Sequence, residues 1–164
     1  MRLLFALFFF AFNLCAQEAV WYKSLESALE NPSQVYQLQL KRQGFTSFPE
    51  ALSQFPNLVK LDLSKNKIQS FPASLSYLSK LTFLDLSRND ISEIPKHISQ
   101  LESIEHLDLW DNYINVLPKE IRQLKNLKQL DIRGVAMSYQ KYNRYLVLLK
   151  SVDVFMSEPC DCQE

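Results

Sequence analysis

Proline returns at a fixed interval in this chain: Pro49, Pro72, Pro95 and Pro118 stand 23 residues apart. The sequence between them returns as well. From Leu58 it reads LVKLDLSKNKIQSFPASLSYLSK, from Leu81 LTFLDLSRNDISEIPKHISQLES, and from Ile104 IEHLDLWDNYINVLPKEIRQLKN. Such an interval predicts a stack of like coils, because one unit alone cannot bury its apolar face. Counting each unit from zero, apolar residues fall at positions 0, 3, 5, 10, 13, 17 and 20. In the unit from Leu58 these are Leu58, Leu61, Leu63, Ile68, Phe71, Leu75 and Leu78. The L-x-x-L-x-L stretch has a local period of two and predicts a short strand with one buried face. The later spacings of three and four suit a helical turn on the opposite side. Proline at the start of that turn is tolerated, since the first helical residue needs no N–H partner.

Asparagine occupies position 8 of these units, as Asn66, Asn89 and Asn112. Together with the Leu-Pro and Phe-Pro pairs, this pattern resembles the leucine-rich repeat family. The form is the 23-residue one of Ras-suppressor and Scribble-type proteins, which small exported bacterial proteins also carry. The resemblance covers residues 35–154, and three units match at every framework position. It implies an α/β solenoid with a short parallel sheet on the concave face and helical turns on the convex face. It also implies that the Asn side chains point inward and satisfy turn backbone rather than a ligand. The unit from Val35 departs at Gln43, and the unit from Leu127 departs at Val135, Gln140, Lys141 and Arg144. A last fragment, Leu149-x-x-Val152-x-Val154, reads as a closing sixth strand. End units are expected to degenerate, because their outer faces meet water.

The ends read as helical caps. Ser24 is a candidate N-cap for a helix carrying Leu25, Ala28 and Leu29, stopped by Asn31-Pro32. Residues 138–150 carry Tyr142, Tyr145, Leu146 and Leu149 at helical spacing. The expected organisation is a leader at 1–16, an N-terminal cap at 17–34 and four repeats at 35–126. A degenerate fifth repeat with capping helix and closing strand follows at 127–156, then a tail at 157–164. Capped at both ends, the array is expected to be complete, with no second domain.

The leader has one Arg followed by an apolar run at 3–12, too short to span a bilayer, which takes about 20 residues. Cleavage after Ala16 would start the exported chain at Gln17, secreted, periplasmic or at the cell surface. A lipid anchor at Cys15 is the alternative, disfavoured by the large Leu14 before it. Cys160 and Cys162 close a small terminal disulfide or remain tail thiols, and without a nearby His they make a poor zinc site. Lys plus Arg equal Asp plus Glu at 18 each, so no basic excess draws in nucleic acid. Two glycines, Gly44 and Gly134, build no phosphate loop. Neither a cofactor nor a metal is implied. His97 falls on the convex turn, far from His106, and the tail cysteines lack a paired base, so no catalytic triad assembles and no enzyme is expected.

Function is expected on the concave face, where positions 2, 4, 6 and 7 of each unit point outward and form ladders about 4.8 Å apart. Position 4 gives the carboxylate row Asp62, Asp85, Asp108 and Asp131, a common framework spelling in this family that is expected to be structural. Phe83 and His106 should be ladder neighbours, with Trp110 on the strand of His106 and Tyr113 at the rim. Outward aromatics on a charged face resemble binding hot spots. Asp85, Arg88, Asp108 and Asp111 would supply their polar rim. The expected function is a non-catalytic, exported module that binds a protein or peptide of unspecified identity. An intracellular Ras-suppressor-like scaffold and a lipid-anchored surface component are the alternatives.

Overall fold

A computed structural model describes residues 20–135, 147, 149 and 151–157. Seven short strands form a single parallel sheet in chain order. They are β1 (Trp21–Tyr22), β2 (Gln37–Gln39), β3 (Lys60–Asp62), β4 (Phe83–Asp85), β5 (His106–Asp108), β6 (Gln129–Asp131) and β7 (Asp153–Phe155). Parallel neighbours require a crossover between them. Here each 23-residue unit supplies strand and return alike. Leu38, Leu61, Leu84, Leu107 and Leu130 pair in sequence as one rung set facing the core. All five are buried, and the inward leucines and isoleucines of every unit join one continuous cluster.

The convex returns are 3-10 turns at Glu50–Gln54, Ser76–Leu78, Lys96–Gln100 and Lys119–Gln123. A 3-10 turn rises about 2.0 Å per residue, against 1.5 Å for an α-helix, so few residues cover the return. Pro49, Pro95 and Pro118 stand immediately before their turns, and each carbonyl accepts the N–H three residues on, at 3.0–3.1 Å. The unit from Leu58 differs. Its turn starts later, and the Pro72 carbonyl contacts His97 Nε2 of the next unit at 2.7 Å. Gln100 Oε1, also of the next unit, accepts from the Leu75 N–H at 2.7 Å.

The inner turn after each strand has the opposite problem, since it is too deep for water to satisfy its backbone. Asn89 solves it by bonding two coils at once. Its Nδ2 donates to the carbonyls of Leu86, in its own coil, and Leu63, in the coil before, at 2.9 and 3.1 Å. Its Oδ1 accepts from the Ile68 N–H at 3.0 Å. Asn66 and Asn112 repeat this arrangement. The residue before the Asn is left-handed in each case: Lys65, Arg88 and Asp111 have φ of 55–57°. Gln43, where Asn was absent, turns its longer side chain outward to the Lys23 carbonyl. In the unit from Leu127, Gly134 donates its N–H to Ser157 Oγ at 2.9 Å, where Arg88 and Asp111 at the same position donate to a backbone carbonyl of the next coil.

The N-terminal cap is a strand and a helix, not a helix alone. Strand β1 extends the sheet beyond β2, and two residues are too few for alternation to reveal it. Helix α1 (Leu25–Leu29) follows, with Ser24 Oγ accepting the Ser27 N–H at 3.2 Å as its N-cap. Ala28 is buried and Leu25 half-buried, but Leu29 is turned out at 37% exposure. The C-terminal helix expected at 138–150 lies outside the described residues except for Val147 and Leu149, of which Leu149 is buried in the core.

The closing strand is present with a different register. Val154 pairs with Leu130, where matching Leu149-x-x-Val152-x-Val154 to the L-x-x-L-x-L spelling of the other units would put Val152, a slip of two residues. Side chains alternate along a strand, so a slip of two keeps the same face inward and leaves the apolar pattern unchanged. It moves Phe155 onto the ladder of Asp131, with consequences for the concave face.

Replacing Asn89 by Ala strands the Ile68 N–H and removes one of the two amide donors to each of the Leu63 and Leu86 carbonyls, which Asn66 and Asn112 still serve. The expected loss is about 3 kcal/mol of unfolding free energy, seen as a lower urea midpoint at unchanged slope. A loss under about 0.5 kcal/mol would show that the ladder is not needed for stability.

Candidate partner-binding face

The sheet register assembles the site from separate units. On β5, His106 and Asp108 face outward around the inward Leu107, as a pleated strand requires. Pairing sets Phe83, His106 and Gln129 in one row and Asp85, Asp108 and Asp131 in the next. The Phe83 and His106 rings lie 6.3 Å apart between centroids, tilted by 44°. His106 Nδ1 is 2.7 Å from Gln129 Oε1. An amide oxygen only accepts, so Nδ1 carries the proton and, in the neutral ring, Nε2 is left as an acceptor. Around them lies a shallow cavity of about 130 Å³, walled by Phe83, His106, Gln129 and Phe155, with Asp108 and Asp131 on its polar side.

The carboxylate row has a local structural role. Asp62, Asp85, Asp108 and Asp131 each accept the N–H two residues on, from Ser64, Ser87, Trp110 and Arg133, at 2.8–3.1 Å. This brace bends the chain out of the strand and into the left-handed residue that follows. Outward orientation at positions 4 and 6 therefore fails in part. Asp62 is only 7% exposed and Ser64 only 1%, and Ser87 is buried too, because the bend folds position 6 beneath the turn. Asp62 also accepts from Gln39 Nε2 at 3.0 Å.

Asp85 and Asp108 remain half-buried and their titration is displaced upward. Burial is the main cause for both. For Asp85, hydrogen bonds from the Ser87 hydroxyl and N–H oppose the rise, and the Asp62 charge adds to it. Asp108 is pushed up to about 6; the charges of Asp85 and Asp131 add to burial, while the Trp110 N–H and Arg133 oppose it. Asp108 Oδ1 takes the Trp110 N–H, and Oδ2 has no hydrogen-bond partner among the described residues.

Trp110 forms a second cluster, beside the cavity. Small serines hold the same position in the two preceding units, where they are buried. The indole finds room over Gly134: a β-carbon there would stand 3.6 Å from Trp110 Cδ1. The Arg88 guanidinium lies 4.4 Å from the ring centroid and that of Arg133 5.8 Å, from the units on either side. Arg88 Nε is also 3.8 Å from Asp111 Oδ2, and Arg133 Nε is 3.0 Å from both Asp131 carboxylate oxygens. Such exposed cation–ring contacts are worth about 0.5–1 kcal/mol. The indole is thus engaged by the protein itself rather than free.

Six of the expected site residues fall into these two groups: Phe83, His106 and Asp108 at the cavity, Arg88, Trp110 and Asp111 at the rim. Asp85 lies between its ladder neighbours Asp62 and Asp108. Tyr113 stands apart at 67% exposure, without a ring contact to Phe83, His106 or Trp110. The sequence expectation omitted Gln129, Asp131, Arg133 and Phe155. Gln129, Asp131 and Arg133 were visible as members of the outward ladders, in a unit assigned to capping. Phe155 was concealed by the register slip.

One-sided parallel strands, Asn-braced coils and an open concave face define a leucine-rich repeat protein. A family model described as a leucine-rich repeat region matches residues 26–147, and the chain belongs to that family. Proteins of this family are typically non-catalytic modules that bind other proteins. No curated protein matches the sequence. Among solved structures, a leucine-rich repeat protein of Leptospira interrogans is 32% identical, with a TM-score of 0.72 over 82% of this chain. An internalin of Listeria monocytogenes is 20% identical, with a TM-score of 0.53 over 75% of this chain, and shares the fold. The chain spans about a third of the length of each, 34% and 35%. Among the described residues, no helix is long and apolar enough to cross a membrane, and no cluster of three or more His, Cys, Asp or Glu is placed to hold a metal.

The Asp108 carboxyl binds its proton more tightly folded than unfolded, about 6 against 3.8. Its contribution to stability is therefore complete below pH 3.8 and is lost as pH rises through about 6. Asp108→Asn keeps the oxygen that accepts the Trp110 N–H and removes the charge. The variant is expected to exceed the wild type at pH 7.5 by about 1 kcal/mol, a figure reduced for the group's partial solvation. Urea titrations should show the gap closing below about pH 4.

Proposed function

We propose that this protein is an exported, non-catalytic module that docks a protein or peptide on its concave face, centred on Phe83 and His106. The observation that carries this is the Phe83–His106 pair at an open cavity beside a carboxylate oxygen without a partner among the described residues. Asp85, Arg88, Trp110 and Asp111 surround that centre, and Tyr113 adds an outlying aromatic contact. Seven strands about 4.8 Å apart span about 29 Å, enough for an interface of about 20–30 residues a side. The family's general habit of binding proteins supports the same conclusion.

Export is supported by the apolar leader at 3–12 and the small Ala16 after it. Mass spectrometry of the chain recovered from its source is expected to find Gln17 as the first residue. A retained Met1 would favour the intracellular scaffold, and an acylated Cys15 would favour the anchored surface protein.

Docking is tested on the partner recovered with the wild-type protein. Phe83→Ala is expected to weaken binding about tenfold or more by calorimetry, the effect of an interface hot spot. Trp110→Ala should weaken it less, since Arg88 already covers the indole. A partner indifferent to both substitutions would place the interface elsewhere.

A further inference from the structure

We infer that the concave cavity receives the charged end of a lysine or arginine side chain, a specificity that rests on the concave-face docking proposed above. The cavity is about 130 Å³, well below the roughly 300–1,000 Å³ of small-molecule sites. It suits the tip of one side chain presented by a larger partner. Phe83 and Phe155 flank it, and the face of a phenyl ring attracts a cation. His106 is tied to Gln129 through Nδ1, which in the neutral ring leaves Nε2 as an acceptor and no donor to greet an anion.

The polar side of the cavity carries the same sign. Asp108 has an oxygen without a partner among the described residues, and Asp85 and Asp131 pair with it on the adjacent strands. Asp153 of β7 pairs with Gln129 and adds a further carboxylate. Two cations approach. Arg133 is already held by Asp131 through Nε, and Lys60 pairs with Phe83 on the side away from His106. An acidic side chain entering here would meet like charge. An aliphatic one would desolvate the free Asp108 oxygen without replacing its water, at about 1–3 kcal/mol. A guanidinium or ammonium group instead stacks on the phenyl rings and donates to that oxygen, a charge-assisted bond about twice as strong as a neutral one.

The test uses end-capped tripeptides with a central arginine, lysine, leucine or glutamate between glycines. Each is titrated into isotope-labelled protein at pH 7.5 and followed by NMR. Saturable shifts are expected at His106, Gln129 and Phe155 with the arginine and lysine peptides only. Asp108→Asn should weaken these about tenfold, the worth of one charge-assisted hydrogen bond. Phe155→Ala, at a residue already 45% exposed on the outermost described strand, gives an independent variant and should weaken them about threefold. The inference is overturned if the cationic peptides give no saturable shift, or if the leucine or glutamate peptide shifts the same residues equally. Saturation by the cationic peptides, together with a partner indifferent to both Phe83→Ala and Trp110→Ala, upholds the cavity chemistry and removes concave-face docking instead.

Discussion

The Asn ladder is the interaction on which the rest of this protein depends. A coil of 23 residues must reverse direction after each strand in a space too narrow for water. The backbone groups stranded there need partners, and an unpaired buried group costs about 1–3 kcal/mol. One carboxamide supplies two donors and an acceptor in the right fork. Because Asn89 bonds the carbonyls of Leu63 and Leu86 together, it also fixes the spacing of successive coils. The sheet register, and hence every ladder on the concave face, follows from that spacing.

Local strain is distributed along the same turns. Arg42, Lys65, Arg88 and Asp111 are left-handed at φ of 55–58°, a conformation that costs a side-chain-bearing residue roughly 1–2 kcal/mol. At Lys65, Arg88 and Asp111 the backbone is held between a carboxylate brace and an Asn fork, whereas Arg42 adopts the same conformation with Gln39 and Gln43 in those places. The residues so held are charged, and they stack. Lys65 titrates lower than an ordinary lysine, chiefly because Arg42 stands beside it, with burial and then Arg88 contributing. The like charges of Arg42, Lys65 and Arg88 at strained positions detract from stability, offset at the end of the row by Asp111 beside Arg88, and the half-buried Asp85 and Asp108 detract as well. Surfaces that sacrifice stability in this way are commonly functional ones. Here Arg88 and Asp111 border the Trp110 cluster, and Asp108 lines the cavity.

The concave face therefore has two distinct parts. Around Trp110, guanidinium groups and indole satisfy one another. Around Phe83, His106 and Asp108, polar atoms and ring faces remain open. The contrast traces to one position. Serine at Ser64 and Ser87 tucks under its turn, whereas Trp110 cannot, and it emerges over Gly134.

Periodicity determined the stack, the inward leucines and the pairing of Phe83 with His106, because each depends on spacing that repeats, while the Asn role came with the resemblance to the leucine-rich repeat family. Ser24 as N-cap was equally legible, being a local bond. Tertiary structure decided what spacing leaves degenerate. A two-residue slip preserves the inward face, so only the assembled sheet could bring Phe155 to the cavity. Strand β1 carries too few residues for a pattern, and its pairing with β2 is a contact across the cap. Burial of Asp62 and Ser64 follows from how the left-handed turn folds back over its own strand, a bend that alternation does not encode. The engagement of Trp110 by Arg88 and Arg133 joins three units, and only the packed coils bring those side chains within reach of one another.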